Sequence, residues 1–438
     1  MKLRRLFVLP LVVAMIFAGA CGDDDDDGEE GQGGTVEELT GDVRFFWAGE
    51  TTERVALQEI LDDEINAKVD YTAMLEVSNN FEQDIKIAVE GGNPPDIAMY
   101  PQPGSVIEQA KAGKAIALED LGFDIAEMKA TYGDYFMGLG EYNGKHYGLP
   151  TNANLKSMIW YAKDDFDAKG YQVPKTWDEL IALSDKIVAD GGAPWCIGIE
   201  SGGATGWTAT DWMEDIILRT AGPDVYDKWL KHEIPFNDPA IVKAGELFGK
   251  VLFTNKYVLG GSNSIAGTHF GDATEPLFSE PAGCYFNRQA TFIAAQFPEE
   301  AEAGVDYDWF PFPPIERDGV LMGGELSVVF RDTPAVRDAL KRFAGVDAQC
   351  AQGGKAGSSR VSPNKDVKPD CYTNKLLGQA AGVLTAALQA GTARFDASDG
   401  MPSAVGSGSF WTEMTKYTQD GLASLKGHLD AIEASWPK

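Results

Sequence analysis

Five cysteines and four histidines are the residues of this 438-residue chain that most directly carry chemistry. Cys21 ends a leader with a basic start (Lys2, Arg4, Arg5), an apolar run from Leu6 to Phe17 and the small residues Ala18-Gly19-Ala20. That order is the pattern of a secretory signal peptide, expected over residues 1–20. Cys196, Cys284, Cys350 and Cys371 remain, an even set that in an exported chain reads as two disulfides. Three pairings are open; Cys350 with Cys371, close in sequence across a Gly/Ser-rich loop, and Cys196 with Cys284 are favoured. No metal or other cofactor is expected: no C-x-x-C pair exists, and His146, His232, His269 and His428 lack ligand spacing. Gly202-Gly203 and Gly353-Gly354 lack the pattern of a phosphate loop, and no G-x-S-x-G nucleophile is present.

The elements that must position a binding site alternate. Val43 to Trp47 reads as a strand, and Thr51 to Asn66 carries Val55, Ile60, Leu61 and Ile65 at roughly helical spacing. Strand-like Val69 to Leu75, helical Phe81 to Glu90, strand-like Asp96 to Tyr100 and helical Val106 to Ala112 follow. Asn143-Gly144 is a hairpin signal, and Lys145 to Leu149 and Leu155 to Tyr161 are expected extended on either side of Pro150. Thr176 with Glu179 marks the start of a helix over Trp177 to Ala189. Pro194 to Glu200, Gly283 to Asn287, Asp308 to Pro311 and Leu326 to Phe330 read as strands; Asp211 to Thr220 and Pro239 to Phe253 read as helices. Strands alternating with helices predict an α/β fold with mostly parallel sheets. Two such lobes, crossed near Pro150 and again between Pro311 and Gly324, would form a hinge with a ligand cleft between them. The expected divisions are leader 1–20, tether 21–40, a first lobe 41–150, a second lobe 151–315, and 316–438 as return crossing and a helical part shared between lobes.

Several stretches resemble known ones. Cys21 behind its small residues resembles a bacterial lipobox, which implies cleavage before Cys21 and lipid on its sulfur and new amino terminus. The next residues, Gly22 to Gly34 with Asp23 to Asp27 among them, cannot bury enough apolar surface to offset the entropy of ordering. They fit a flexible acidic tether. Gly91-Gly92-Asn93-Pro94-Pro95-Asp96-Ile97, Tyr142-Asn143-Gly144-Lys145-His146-Tyr147-Gly148-Leu149-Pro150, Pro174-Lys175-Thr176-Trp177-Asp178-Glu179-Leu180 and Ser362-Pro363-Asn364 resemble, in order, marks of the carbohydrate-binding solute-binding proteins of ABC importers. Pro194-Trp195-Cys196, Gly206-Trp207, Thr210-Asp211-Trp212, Gly283-Cys284-Tyr285 and Arg394 to Asp399 resemble the α-glucoside-binding subgroup. The resemblance implies a two-lobed periplasmic-binding-protein-like fold and ligands of the maltose, sucrose or trehalose type.

A sugar presents apolar ring faces and a belt of hydroxyls, so its site needs flat aromatic surfaces and fixed carboxylates, amides and guanidiniums. Trp47 and Glu50 follow the first strand and Tyr100 the third, where open α/β sheets bind ligands; Trp47 could equally be core. Asn154 lies past the crossing. Trp207, in a glycine-rich loop, is the leading candidate to stack on a ligand. Asp211 could bind hydroxyls or cap the helix that follows it. Glu325 follows Gly323-Gly324 at the return crossing, where the alternative is a solvated turn. Arg360, Arg394 and Asp396 complete the set, with a local ion pair as the alternative reading of the last two.

The formal charge of −30 becomes −33 when the leader takes Lys2, Arg4 and Arg5 with it, which argues against nucleic acid as a partner. The expected protein is a monomeric lipoprotein on the outer face of the cytoplasmic membrane. It would capture a mono- to oligosaccharide and hand it to the permease subunits of an ABC transporter. An exported glycoside hydrolase and a sugar-sensing surface receptor are the alternatives; the first needs two carboxylates at a set separation.

Overall fold

Val43, Phe45 and Trp47 are buried and alternate with half-buried Arg44 and Phe46, so the first strand presents one face to a core and lends the other to a covering helix. In the computed structural model, which describes residues 39–49, 51–356 and 358–437, twelve strands form two main sheets and a small hairpin. They are β1 (Asp42–Trp47), β2 (Thr72–Val77), β3 (Ile97–Tyr100), β4 (Glu141–Tyr142), β5 (Lys145–His146), β6 (Leu149–Leu155), β7 (Met158–Ala162), β8 (Ala193–Trp195), β9 (Cys284–Arg288), β10 (Tyr307–Pro311), β11 (Val320–Val329) and β12 (Ala393–Phe395). The leader, Cys21, Glu50 and all but the last two residues of the expected tether lie outside the described residues.

The first sheet runs β12-β11-β3-β1-β2, with β6 also paired to β11. β1 is parallel to both β2 and β3, as strand–helix–strand connections require. The second sheet runs β10-β7-β9-β8. Each has its own core: Phe45, Leu57, Leu75 and Phe343 in the first lobe, Trp195, Trp212, Phe248 and Phe286 in the second. After β12, whose Ala393 and Phe395 belong to the first core, the chain places Phe410, Tyr417 and Leu429 in the second.

The second crossing, from β10 to β11, lies within the stretch expected from the sequence, but the residues that mark the crossings sit differently from expectation. Pro150 does not separate two extended pieces; it sits inside β6, opposite Leu326, where the register of β11 shifts. A proline cannot donate to a ladder, and the irregularity accommodates it. Gly323 and Gly324 likewise lie inside β11. A Cβ on Gly324 would overlap the Asn152 carbonyl, so glycine is what lets β6 and β11 approach. The crossing is tied at Ser157: its Oγ donates to Asp215 at 2.6 Å and accepts from Leu321 N at 2.7 Å, and its carbonyl accepts from Phe312 N at 3.0 Å.

Thr176 caps its helix as expected, its side chain accepting from Glu179 N at 3.2 Å, while Glu179 takes the Lys175 N–H. The helix expected from Asp211 begins earlier and spans Trp207–Thr220, because Gly206 (φ 112°) turns the chain into it. Disulfides join Cys196 to Cys284 and Cys350 to Cys371, with Cα atoms 5.7 and 5.0 Å apart. Among the described residues no helix is long and apolar enough to cross a membrane.

Candidate functional site

All three parallel strands of the first sheet end at one cavity of about 170 Å³ between the lobes. Trp47 closes β1, Ser78 and Asn79 follow β2, and Pro101 and Gln102 follow β3, the position at which such sheets present ligand groups. Phe81 and Glu82, at the start of the helix Phe81–Glu90, complete this wall. The crossing strands contribute Asn152, Asn154, Gly324 and Glu325, and the link after β6 contributes Lys156, with Arg360 beside them. The second lobe contributes Trp207, Phe270, Phe292 and Trp411, together with Asp399. At the mouth, Gly203 N donates to Asn80 Oδ1 across the two lobes at 3.1 Å.

Five residues singled out in the sequence meet at this cavity: Trp47, Asn154, Trp207, Glu325 and Arg360. Glu325 is not in a solvated turn. It lies buried in β11, where its carboxylate accepts Trp47 Nε1 at 2.8 Å, Asn152 Nδ2 at 3.3 Å and Arg360 Nη1 and Nη2 at 3.3 and 2.6 Å. The Arg360 guanidinium also lies 5.1 Å from the centre of the Trp47 ring. Trp47 is thus both a core residue and the floor of a charged clamp. Trp207 is half-buried, with Phe270 and Phe292 5.3 and 5.6 Å from its ring and Lys156 Nζ 5.5 Å from its centre. Asn154 Oδ1 accepts from Thr291 Oγ1 at 3.3 Å.

Four others do not reach the cavity wall. Tyr100 ends β3 pointing into the core, its ring edge-on to Phe81 at 5.2 Å; Gln102, two residues on, takes the position expected of it. Asp211 is neither at the wall nor an N-cap, since it lies a turn inside its helix, wholly buried. Arg394 does not pair with Asp396. It pairs with Asp227 at 2.6 Å and donates to the carbonyls of Gly391 and Ala393, clipping β12 in place. Asp396 instead receives Lys156 at 2.6 Å and caps the short helix Ala397–Gly400. Glu50 lies outside the described residues.

Behind the wall runs a buried ionic network that sequence alone did not reveal. Lys156 Nζ lies 3.0 Å from Asp211, 2.6 Å from Asp396 and 3.9 Å from Asp399. Arg288 bridges Asp211 and Asp215 at 3.0 and 2.9 Å, and Arg219 pairs with Asp215. Glu214 accepts the N–H groups of Ala397 and Ser398 and the Tyr226 hydroxyl. Glu214 and Asp215 stand three and four residues after Asp211, and Arg219 four after Asp215, so one face of a single helix carries them all. That spacing was the signal available in the sequence.

Burial, then the neighbouring Asp396 charge, holds the carboxyls of Asp399 and Glu214 well above the ordinary range. Burial raises Asp396 too, but the Lys156 ammonium together with hydrogen bonds from Asp211, Lys156 and the Asp399 N–H outweighs it and keeps that carboxyl well below its usual value. Since Asp399 and Glu214 keep protons that the unfolded chain releases near pH 4, the folded state binds more protons and loses stability as pH rises from there toward their folded pKa values. The melting temperature of the mature protein is therefore expected to fall from pH 5 to pH 8, and Glu214→Gln to flatten the slope. A thermal-unfolding series over that range checks it; a rise would contradict it.

The model of the bacterial extracellular solute-binding protein family matches residues 48–345. The chain belongs to that family. It is an exported solute-binding receptor and not an enzyme. The chain is 42% identical over 374 residues to the α-glucosides-binding periplasmic protein AglE of Rhizobium meliloti, covering 81% of this chain and 80% of AglE. It is 39% identical over 363 residues to the osmoprotective compounds-binding protein GgtB of Synechocystis sp., covering 82% and 84%. Among solved structures, the bacterial solute receptor AcbH superposes with a TM-score of 0.77 at 18% identity, over 90% of this chain and 98% of AcbH. Maltose-bound MalE3 of T. maritima gives 0.69 at 14%, over 89% and 99%. These share the two-lobed fold. Among the described residues no cluster of side chains could hold a metal ion.

Proposed function

We propose that this solute-binding protein captures an α-glucoside or related oligosaccharide and delivers it to the permease of a sugar ABC importer, anchored by lipid on Cys21. The observation that carries the reading is the cavity itself. Aromatic rings from both lobes (Trp47, Phe81, Trp207, Phe270, Phe292, Trp411) enclose carboxylates, amides and a guanidinium held by fixed partners. Rings suit the apolar faces of a pyranose, and pre-oriented polar groups suit its hydroxyls at little reorganisation cost. The two relatives named for α-glucosides and for osmoprotective compounds favour the same ligand class, and the leader with its acidic tether favours the anchor. Binding needs no chemistry: contacts that exist only when the lobes are closed shift the open–closed equilibrium.

Titration calorimetry of the mature protein with maltose, sucrose and trehalose tests this. The expected result is saturable heat with at least one of them and full recovery of intact sugar. Release of glucose over time would establish a hydrolase instead, and no heat with any of the three would refute the α-glucoside assignment.

A further inference from the structure

Arg360 reaches the cavity from a stretch that belongs to no sheet. Among the described residues, the β-pairing of this stretch is one isolated bridge, Val361 with Ala153. Three side-chain hydrogen bonds hold it besides. Gln352 Oε1 accepts Arg360 Nε at 2.7 Å, Gln349 Oε1 accepts the Ser362 hydroxyl at 2.7 Å, and the Tyr372 hydroxyl accepts Ser362 N at 3.1 Å. Their partners come from two places only. Gln349 and Gln352 stand on either side of Cys350 in the helix Val346–Gly354, and Tyr372 directly follows Cys371, which ends the short turn Pro369–Cys371. The Cys350–Cys371 disulfide joins those two places, with Cα atoms 5.0 Å apart. Beside it, a Cβ on Gly353 would come within 2.9 Å of the Tyr372 ring, so glycine lets the helix and the tyrosine close together. The other disulfide differs in kind. Cys196–Cys284 links β9 to the end of β8, two strands already paired in register, and sits in a small core away from the cavity wall. That bond ties a sheet to itself, whereas Cys350–Cys371 ties together the supports of one cavity residue.

We propose that the Cys350–Cys371 disulfide is the staple that positions Arg360: it fixes Gln349, Gln352 and Tyr372 relative to one another, so that the guanidinium stands in its clamp with Trp47 and Glu325 before a ligand arrives. Cys350, Cys371, Gln352 and Tyr372 are positioning residues; none of them lines the cavity. A long side chain that has to be ordered on binding costs affinity, and one held beforehand does not. Without the staple, the helix and the turn are free to separate, and the anchors of Arg360 and Ser362 separate with them. The consequence for affinity rests on the α-glucoside reading; the ordering of the clamp does not.

The test compares the wild-type mature protein with a variant carrying Cys350→Ser and Cys371→Ser. In the sugar-free protein the indole N–H resonance of Trp47, assigned by its absence from Trp47→Phe, reports the guanidinium 5.1 Å from the ring. Loss of the disulfide is expected to shift that resonance in the direction that Arg360→Lys shifts it. By calorimetry, binding of whichever of maltose, sucrose and trehalose the wild type takes is expected to weaken about 3- to 10-fold, the cost of ordering one long side chain on binding. In an Arg360→Lys background, removing the disulfide should weaken binding no further, a coupling that general loosening of the fold would not produce. An additive loss, an unchanged affinity or an unmoved Trp47 resonance each overturns the proposal. Removing the other disulfide, with Cys196→Ala and Cys284→Ala, should leave both readouts at wild-type values; the same changes there would overturn the proposal too. A wild type that binds none of the three sugars overturns the α-glucoside reading alone, and the Trp47 resonance then decides whether the staple orders the clamp. Should the serine pair not fold, Cys350→Ala with Cys371→Val fills the site with apolar groups and carries the same measurements. If neither pair folds, the disulfide is a requirement of the fold rather than a setting of Arg360, and the proposal falls.

Discussion

Arg288→Met is expected to lower the unfolding free energy by about 3–5 kcal/mol, the cost of leaving buried carboxylates without their cation. The guanidinium is fully enclosed and holds Asp211 with one nitrogen and Asp215 with two, at 2.9 to 3.2 Å. Its removal leaves Lys156 and Arg219 to balance the network, and neither reaches both carboxylates. Arg288→Lys retains the charge without the planar fork and should fall between the two. By contrast, the exposed pair Lys426–Asp430 is screened by solvent, and breaking it should change stability little. Equilibrium unfolding in urea measures all three; a loss below about 1 kcal/mol for Arg288→Met would show that the network does not stabilise the lobe junction. Arg288 is not part of the cavity wall, so the affinity of the folded fraction should change little.

Trp207→Ala should raise the dissociation constant for sugar about 30- to 150-fold, corresponding to about 2–3 kcal/mol, the range expected when a central aromatic anchor is truncated. Trp207 starts its helix at the wall, and Phe270 and Phe292 flank it rather than cover it. Its loss removes a stacking face without opening the core around Trp212 and Phe248. The melting temperature of the sugar-free protein should therefore move little, and calorimetry beside a thermal scan separates the two effects. A large drop in melting temperature with unchanged affinity would make Trp207 a packing residue. Trp47→Ala would be a poorer test, since Trp47 is also in the first core and hydrogen-bonded to Glu325.

What could be read from the sequence follows from how local each signal is. Strand–helix alternation over residues 43–112 is a short-range pattern, and the parallel trio β1, β2 and β3 follows from it, whereas the antiparallel pairing of β11 with β3 and β6 makes the whole sheet mixed rather than mostly parallel. Trp47 and Trp207 were legible because each follows a recognisable element end or glycine run. The ionic network was not. Lys156 meets Asp211 and Asp396 across 55 and 240 residues, and no spacing rule joins positions so far apart. Tyr100 and Gln102 show the limit of the strand-end rule: it locates the edge of the cavity, but side-chain direction decides which of two near neighbours faces it. Pro150 was misread for the opposite reason: it is a strong local breaker, and here the pairing of two distant strands overrides it.

Gly206 sets a boundary on how this receptor can change. Its backbone holds φ at 112°, and a Cβ there would overlap the Trp411 carbonyl, so every other residue type is excluded twice over. The turn it makes launches the helix that bears Trp207 at its mouth and the ionic face at its heart. Mutational drift can therefore retune the rings around the cavity, at Phe270 or Phe292, far more freely than it can re-aim the helix that carries Trp207. New specificities would arise by changing what surrounds that tryptophan and keeping the way it is delivered.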